Sequence, residues 1–133
     1  MAGRPWGVLG DDRGSSPVEF VLVGALLTVL TLGVLQLGLA IYVRNVVHDA
    51  AVDGAYHAAL ADTGVGDGVV RTRQVIARAI GADYASDVRA RFTGPRDHRS
   101  VEVTVRTTLP LVGLLGAPKA WEVVARAPVE SLE

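Results

Sequence analysis

"FVLVGALLTVLTLGVLQLGLAIYV", residues 20–43, decides the architecture, because it runs for 24 residues without one charged side chain. Only Thr28, Thr31, Gln36 and Tyr42 give it side-chain polarity. As a helix rising ~1.5 Å per residue it reaches ~36 Å, enough to cross a hydrocarbon layer of ~30 Å with some tilt. The apolar core of a cleaved secretory signal is shorter, ~7–15 residues, so the stretch reads as a retained anchor in the lipid bilayer. Arg4 and Arg13 precede it and Arg44 alone lies close behind it. The positive-inside tendency therefore gives a single-pass cell-membrane protein with its N-terminus cytoplasmic and its C-terminal part outside; Asp11 and Asp12 hardly count in that rule.

Outward from the anchor, the composition changes. From Arg44 onward the chain carries 11 Lys or Arg against 11 Asp or Glu. This balance argues against nucleic acid as a partner, which would call for a basic patch or stripe. The chain has no cysteine, which excludes disulfides and thiolate chemistry. At 133 residues there is room for one membrane segment and one small domain.

In "NVVHDAAVDGAYHAALA", residues 45–61, Asn45, His48, Asp49, Asp53, Tyr56 and His57 recur at spacings of three and four. Val46, Val47, Ala50, Ala51, Gly54 and Ala58 fall to another side. The anchor thus continues into a water-borne amphipathic helix, whose inner face of small residues lets another backbone come close. "DTGVGDG", 62–68, is expected to break the helix, its glycines letting the chain reverse. "VVRTRQVIARAI", 69–80, returns to helical spacing, with Val69, Ile76, Ala79 and Ile80 near one face, Asp67 as a cap and Gly81 as a stop.

Beyond Gly81 the period becomes two. Val88, Ala90 and Phe92 alternate with Arg89 and Arg91; Val101, Val103 and Val105 alternate with Glu102, Thr104 and Arg106; Trp121, Val123 and Ala125 alternate with Glu122 and Arg126. "GPRDH", 94–98, supplies a turn between the first two runs. The expected class is α+β: a long N-terminal transmembrane helix continuing into an amphipathic helix, a second short helix, and a three-stranded antiparallel sheet packed on the helices. "LPLVGLLGAP", 109–118, is an apolar connector that either folds over the sheet edge or meets a partner subunit or the bilayer.

Just ahead of the apolar run stands "GSSPVEF", 14–20. Pro17 suits a first helical turn, where no intrahelical bond is lost. A carboxylate near a helix N-terminus is favoured by the helix dipole by up to ~1 kcal/mol, which accounts for Glu19. Buried in hydrocarbon as an ion it would instead need a partner cation. Neither argument accounts for Gly14.

Gly14, Ser15, Ser16, Pro17, Val18, Glu19 and Phe20, followed by a long apolar helix, resemble the processing site of type IV prepilins. With "AAVDGA" at 50–55, the late sheet and "LPLVGLLG", the chain is similar to the TadE-like branch, the minor pilins or pseudopilins of tight-adherence (Flp) pili. The resemblance implies a cut between Gly14 and Ser15 by a prepilin peptidase, with 1–14 a cytoplasmic leader, 15–43 the transmembrane and assembly helix, and 44–133 an extracytoplasmic domain. It implies that the new amine on Ser15 pairs with Glu19 of its own or a neighbouring subunit, with Ser15, Glu19 and Phe20 forming the assembly site. The implied partners are the major Flp pilin and other minor pilins, inner-membrane platform proteins and the assembly ATPase. Two features depart from the pattern: Ser15 stands where many pilins carry an aromatic residue, and Asp11 and Asp12 make the leader less basic.

Other conspicuous residues point less far. Asp53 and His57, with His48 and Asp49, share a helix region as metal ligands would, but no second ligand cluster follows, so no metal or cofactor is expected. "GVGDGVV" lacks the Lys-Ser/Thr of a phosphate loop, and Asp62 and Asp67 fall short of a calcium loop. No serine sits in a nucleophile elbow and no carboxylate pair marks an acid–base site, so the chain reads as a non-enzyme. Arg89, Arg91, Arg96, Arg99 and Arg106 are expected on the outer face of the hairpin with Glu102 and Asp97 among them, a solvated strand face or a dock for an acidic partner. The rival to a pilin-like subunit is an uncleaved, single-pass, membrane-anchored extracytoplasmic binding module.

Overall fold

The computed structural model describes residues 2–3, 15–60, 62–108 and 121–130. Helix α1 spans Ser15–Ala59 and α2 Val65–Ala79; strands β1 (Asp87–Thr93), β2 (Ser100–Thr107) and β3 (Trp121–Pro128) follow, with short 3-10 turns at Ala82–Ala85 and Arg96–His98. The chain divides into two compact units, Met1–Leu35 and Gln36–Glu133, so the division falls within α1. Gly14, the rest of the leader apart from residues 2–3, and the apolar connector 109–118 lie outside the described residues.

In the first unit every residue from Ser15 to Leu35 is exposed. The two hydroxyls turn inward on their own helix: Thr28 Oγ1 donates to the Gly24 carbonyl and Thr31 Oγ1 to that of Leu27, each at 2.8 Å. Such back-bonding lets a polar side chain exist where no water is at hand. No other element is needed to satisfy them.

The second unit holds the core. Val43, Val47, Ala50, Ala51, Gly54, Ala55, Ala58 and Ala59 make one buried stripe on α1, the small-residue face expected from the sequence. This stripe meets α2 backbone to backbone. A methyl group added to Gly54 would stand 2.7 Å from the Gly68 carbonyl oxygen and 1.9 Å from Thr72 Oγ1; one added to Gly68 would stand 2.6 Å from Ala58 Cβ. The two glycines are the contact.

Here the sequence reading needs correction. Residues 65–68 are helical rather than part of the break, and α2 starts at Val65 instead of Val69. A glycine costs a helix about 1 kcal/mol relative to alanine, which is why the pattern reads as a loop. Close packing of α1 against Gly68 outweighs that local preference. The N-cap is Gly64, not Asp67; Asp67 lies in the first turn, where its Oδ2 accepts the Gly64 amide at 2.9 Å. Gly81, at φ +114, follows the helix end and its amide reaches the Ile76 carbonyl at 3.3 Å. The buried stripe of α2 is Gly68, Thr72 and Ile76; Val69 and Ile80 are half-buried, and Ala79 is exposed. Thr72 enters the core because its hydroxyl donates to the Gly68 carbonyl at 2.9 Å.

The sheet is antiparallel in the order β1-β2-β3. Val88 pairs with Val105, Ala90 with Val103 and Phe92 with Val101; across the other side Val105 pairs with Val123, Val103 with Ala125 and Val101 with Ala127. Of these, Val88, Val101, Val103, Val105, Val123, Ala125 and Ala127 join the helical stripe in one core, Ala90 packs against it, and Phe92 at the hairpin end is exposed. Gly94, at φ +87, makes the hairpin turn, and a Cβ there would lie 2.5 Å from the His98 carbonyl oxygen.

Candidate assembly site and the charged sheet face

Ser15 opens α1 and Glu19 lies one turn along it, both exposed. Glu19 thus stands in the second turn, where the dipole favours a carboxylate less than in the first. Phe20 beside it is 80% exposed, and Leu26, Leu30 and Leu35 farther along are 67%, 61% and 64% exposed. A helix that is apolar all round belongs in lipid or among other apolar helices, because water around so much apolar surface is unfavourable. The structure brings Ser15, Glu19 and Phe20 to one helix start; Gly14 of the expected cut falls outside the described residues.

The candidate ligands His48, Asp49, Asp53 and His57 on α1 have separate surroundings. Asp53 Oδ2 accepts from Arg71 Nε at 2.6 Å, tying α1 to α2. His48 and Asp49 are exposed and His57 is half-buried. The His57 carbonyl accepts from Thr63 Oγ1, which helps close the turn between the helices.

On the outer sheet face the strands align Arg91, Glu102 and Arg126 in a row. Arg91 Nη2 lies 2.6 Å from Glu102 Oε1, and Arg126 Nη2 lies 2.7 Å from Oε2. The guanidiniums arch over the carboxylate, leaving its side chain 4% exposed while their own are 73% and 67% exposed. Hydrogen bonds from Arg126 and then Arg91 hold the Glu102 carboxyl below the usual carboxylate range, against the opposing cost of burial. Arg106 Nε adds a pair to Glu122 at 2.7 Å, which raises the Arg106 pKa further. Arg89, Arg91 and Arg106 are therefore on the outer face as expected. Arg96, Asp97 and Arg99 are not: they sit at the hairpin turn, and the Arg99 guanidinium lies 4.5 Å from the Phe92 ring centroid. The strand period continues only while the chain is extended, and it ends at Gly94.

Sequence reasoning missed the burial of Glu102, because its second arginine comes from β3, 24 residues away. It also missed Arg44, whose guanidinium lies 5.4 Å from the Trp121 ring centroid. Cross-strand register would have exposed the first; nothing local signals the second.

An apolar helix long enough to cross a membrane, running into a small helix-and-sheet domain, defines a membrane-anchored α+β protein. The family model described as TadE-like protein matches residues 14–55, so over that segment the chain is similar to TadE-like proteins, a family associated with the Tad pilus machinery in general. No curated protein and no solved structure matches the chain.

Proposed function

We propose that this chain is a non-enzymatic structural subunit, a minor pilin or pseudopilin of a tight-adherence pilus or a related secretion apparatus. The observation that carries the reading is the apolar helix exposed from Ser15 to Leu35, within the segment matched by the TadE-like family. Prepilin peptidase cuts between Gly14 and Ser15, releasing a cytoplasmic leader. The new Ser15 ammonium and the Glu19 carboxylate then pair within or between subunits, where apolar helices exclude water. A mispaired subunit leaves a charge unpaired in an apolar setting, so the pair sets helix register. The domain faces outward and makes the specific contacts with the major pilin and the other minor pilins. Platform proteins and the cytoplasmic ATPase drive insertion.

The test is the N-terminus of membrane-extracted protein, read by terminal-peptide mass spectrometry with and without the peptidase. A start at Ser15 that depends on the peptidase supports the reading. A start at Met1 or Ala2 in peptidase-active cells overturns it. The anchored binding module would then take over, with the groove of about 550 Å³ on the outer sheet face, lined by Arg89, Arg91, Arg106 and Arg126, as its candidate contact.

A further inference from the structure

β3 runs beside α1 with two fixed points. At its start Trp121 stacks against Arg44; just past its end the Glu130 amide donates to the Ala59 carbonyl at 3.1 Å. One end of the sheet is therefore level with residue 44 of α1 and the other with residue 59. The register places Thr107 and Trp121 at the first end, and the hairpin turn with Phe92, Val101 and Ala127 towards the second. Arg44 is the first charge after the apolar run, and Tyr42, 53% exposed, stands just before it. Val43 between them is already buried in the domain core. The domain begins where the apolar run stops, with no spacer.

The geometry points to a bilayer-contact site at the near end of the sheet, in which Trp121 and Tyr42 enter the headgroup layer and Arg44 binds lipid phosphate. This inference rests on the membrane-anchored reading of α1. Aromatic rings with one polar edge favour the membrane–water interface, and a guanidinium beside them suits phosphate oxygens. Arg44 is exposed and Trp121 half-buried, so the stacked pair keeps a surface for lipid while the indole is held in place. The lipid contacts thus come from two elements of the same unit, α1 and β3.

The chain has two tryptophans, Trp6 and Trp121, so Trp6→Phe leaves Trp121 as the reporter. The full chain is reconstituted in phosphatidylcholine–phosphatidylglycerol vesicles whose acyl chains carry bromine near the headgroup. Emission from Trp121 should fall about twofold or more relative to unbrominated vesicles and resist iodide, as for an interfacial indole. A second reporter, Phe92→Trp with Trp121→Phe, should be insensitive to bromine and open to iodide. Trp121 emission unaffected by bromine in chain that stays in the membrane after alkaline carbonate overturns the inference while the anchor stands. Equal quenching of both reporters also overturns it, since the domain would then lie flat. Release of the chain by carbonate overturns the anchor and this site together.

Discussion

The two stretches of α1 are built for different solvents. From Ser15 to Leu35 every residue is exposed, and the stretch is rich in leucine, which the buried stripe lacks altogether. From Val43 to Ala59 one stripe is buried and it is made of alanine, glycine and valine. Bulk suits the first because lipid or a neighbouring helix can mould to it. Smallness suits the second because α2 crosses at backbone distance. The same helical geometry thus serves two functions, and residue volume separates them more sharply than hydrophobicity does.

That contrast can be broken most severely in the core that the buried stretch of α1 shares with α2. Ile76→Ala, at a fully buried site, should cost about 3 kcal/mol by thermal unfolding of the full chain in detergent, whereas Leu30→Ala in the exposed stretch should leave the domain's melting unchanged. Equal losses would mean that the domain's stability depends on the apolar stretch. Gly54→Ala should cost about 2 kcal/mol by overpacking, read in the same melt. Adding Thr72→Ala should restore only part, because the Gly68 carbonyl still lies 2.7 Å from the new methyl. Full restoration would place the whole conflict on the hydroxyl and remove the backbone contact from the account.

The sheet face sharpens the comparison through charge. Glu102→Gln should cost on the order of 1 kcal/mol, with the cost shrinking in high salt because both arginines are open to solvent. The pH dependence follows from a carboxyl whose folded pKa is lowered from 4.5. Its contribution is fully present above that value and fades as pH falls through the lower folded pKa. Acid titration of the melting temperature should therefore show a shallower fall in Glu102→Gln than in the parent. An equally steep fall would assign acid sensitivity to other carboxylates. The smallest effect belongs to Asp67→Ala, about 0.5 kcal/mol, through loss of its bond to the Gly64 amide at the start of α2.

How much was legible in the sequence follows the range of each interaction. The apolar run, the alanine stripe and the alternating strands are periodic signals written in neighbouring residues, and the structure bears them out. The start of α2 was misread because Gly66 and Gly68 look like a loop until Gly54 is known to lie against Gly68. The Arg91–Glu102–Arg126 row needed the register of three strands, and the Arg44–Trp121 stack joins residues 77 positions apart. Ser15, Glu19 and Phe20, the proposed assembly residues, were singled out by their place beside the apolar run and by resemblance, and the N-terminal mass measurement is what tests them.

The chain's lack of cysteine allows a direct test of the divided helix. Single substitutions Leu30→Cys and Tyr56→Cys are introduced in turn, and intact cells are treated with a membrane-impermeant maleimide. The account predicts labelling at position 56 and protection at position 30 until the membrane is dissolved. Labelling of both from outside at similar rates would contradict it, because the apolar stretch would then stand in water.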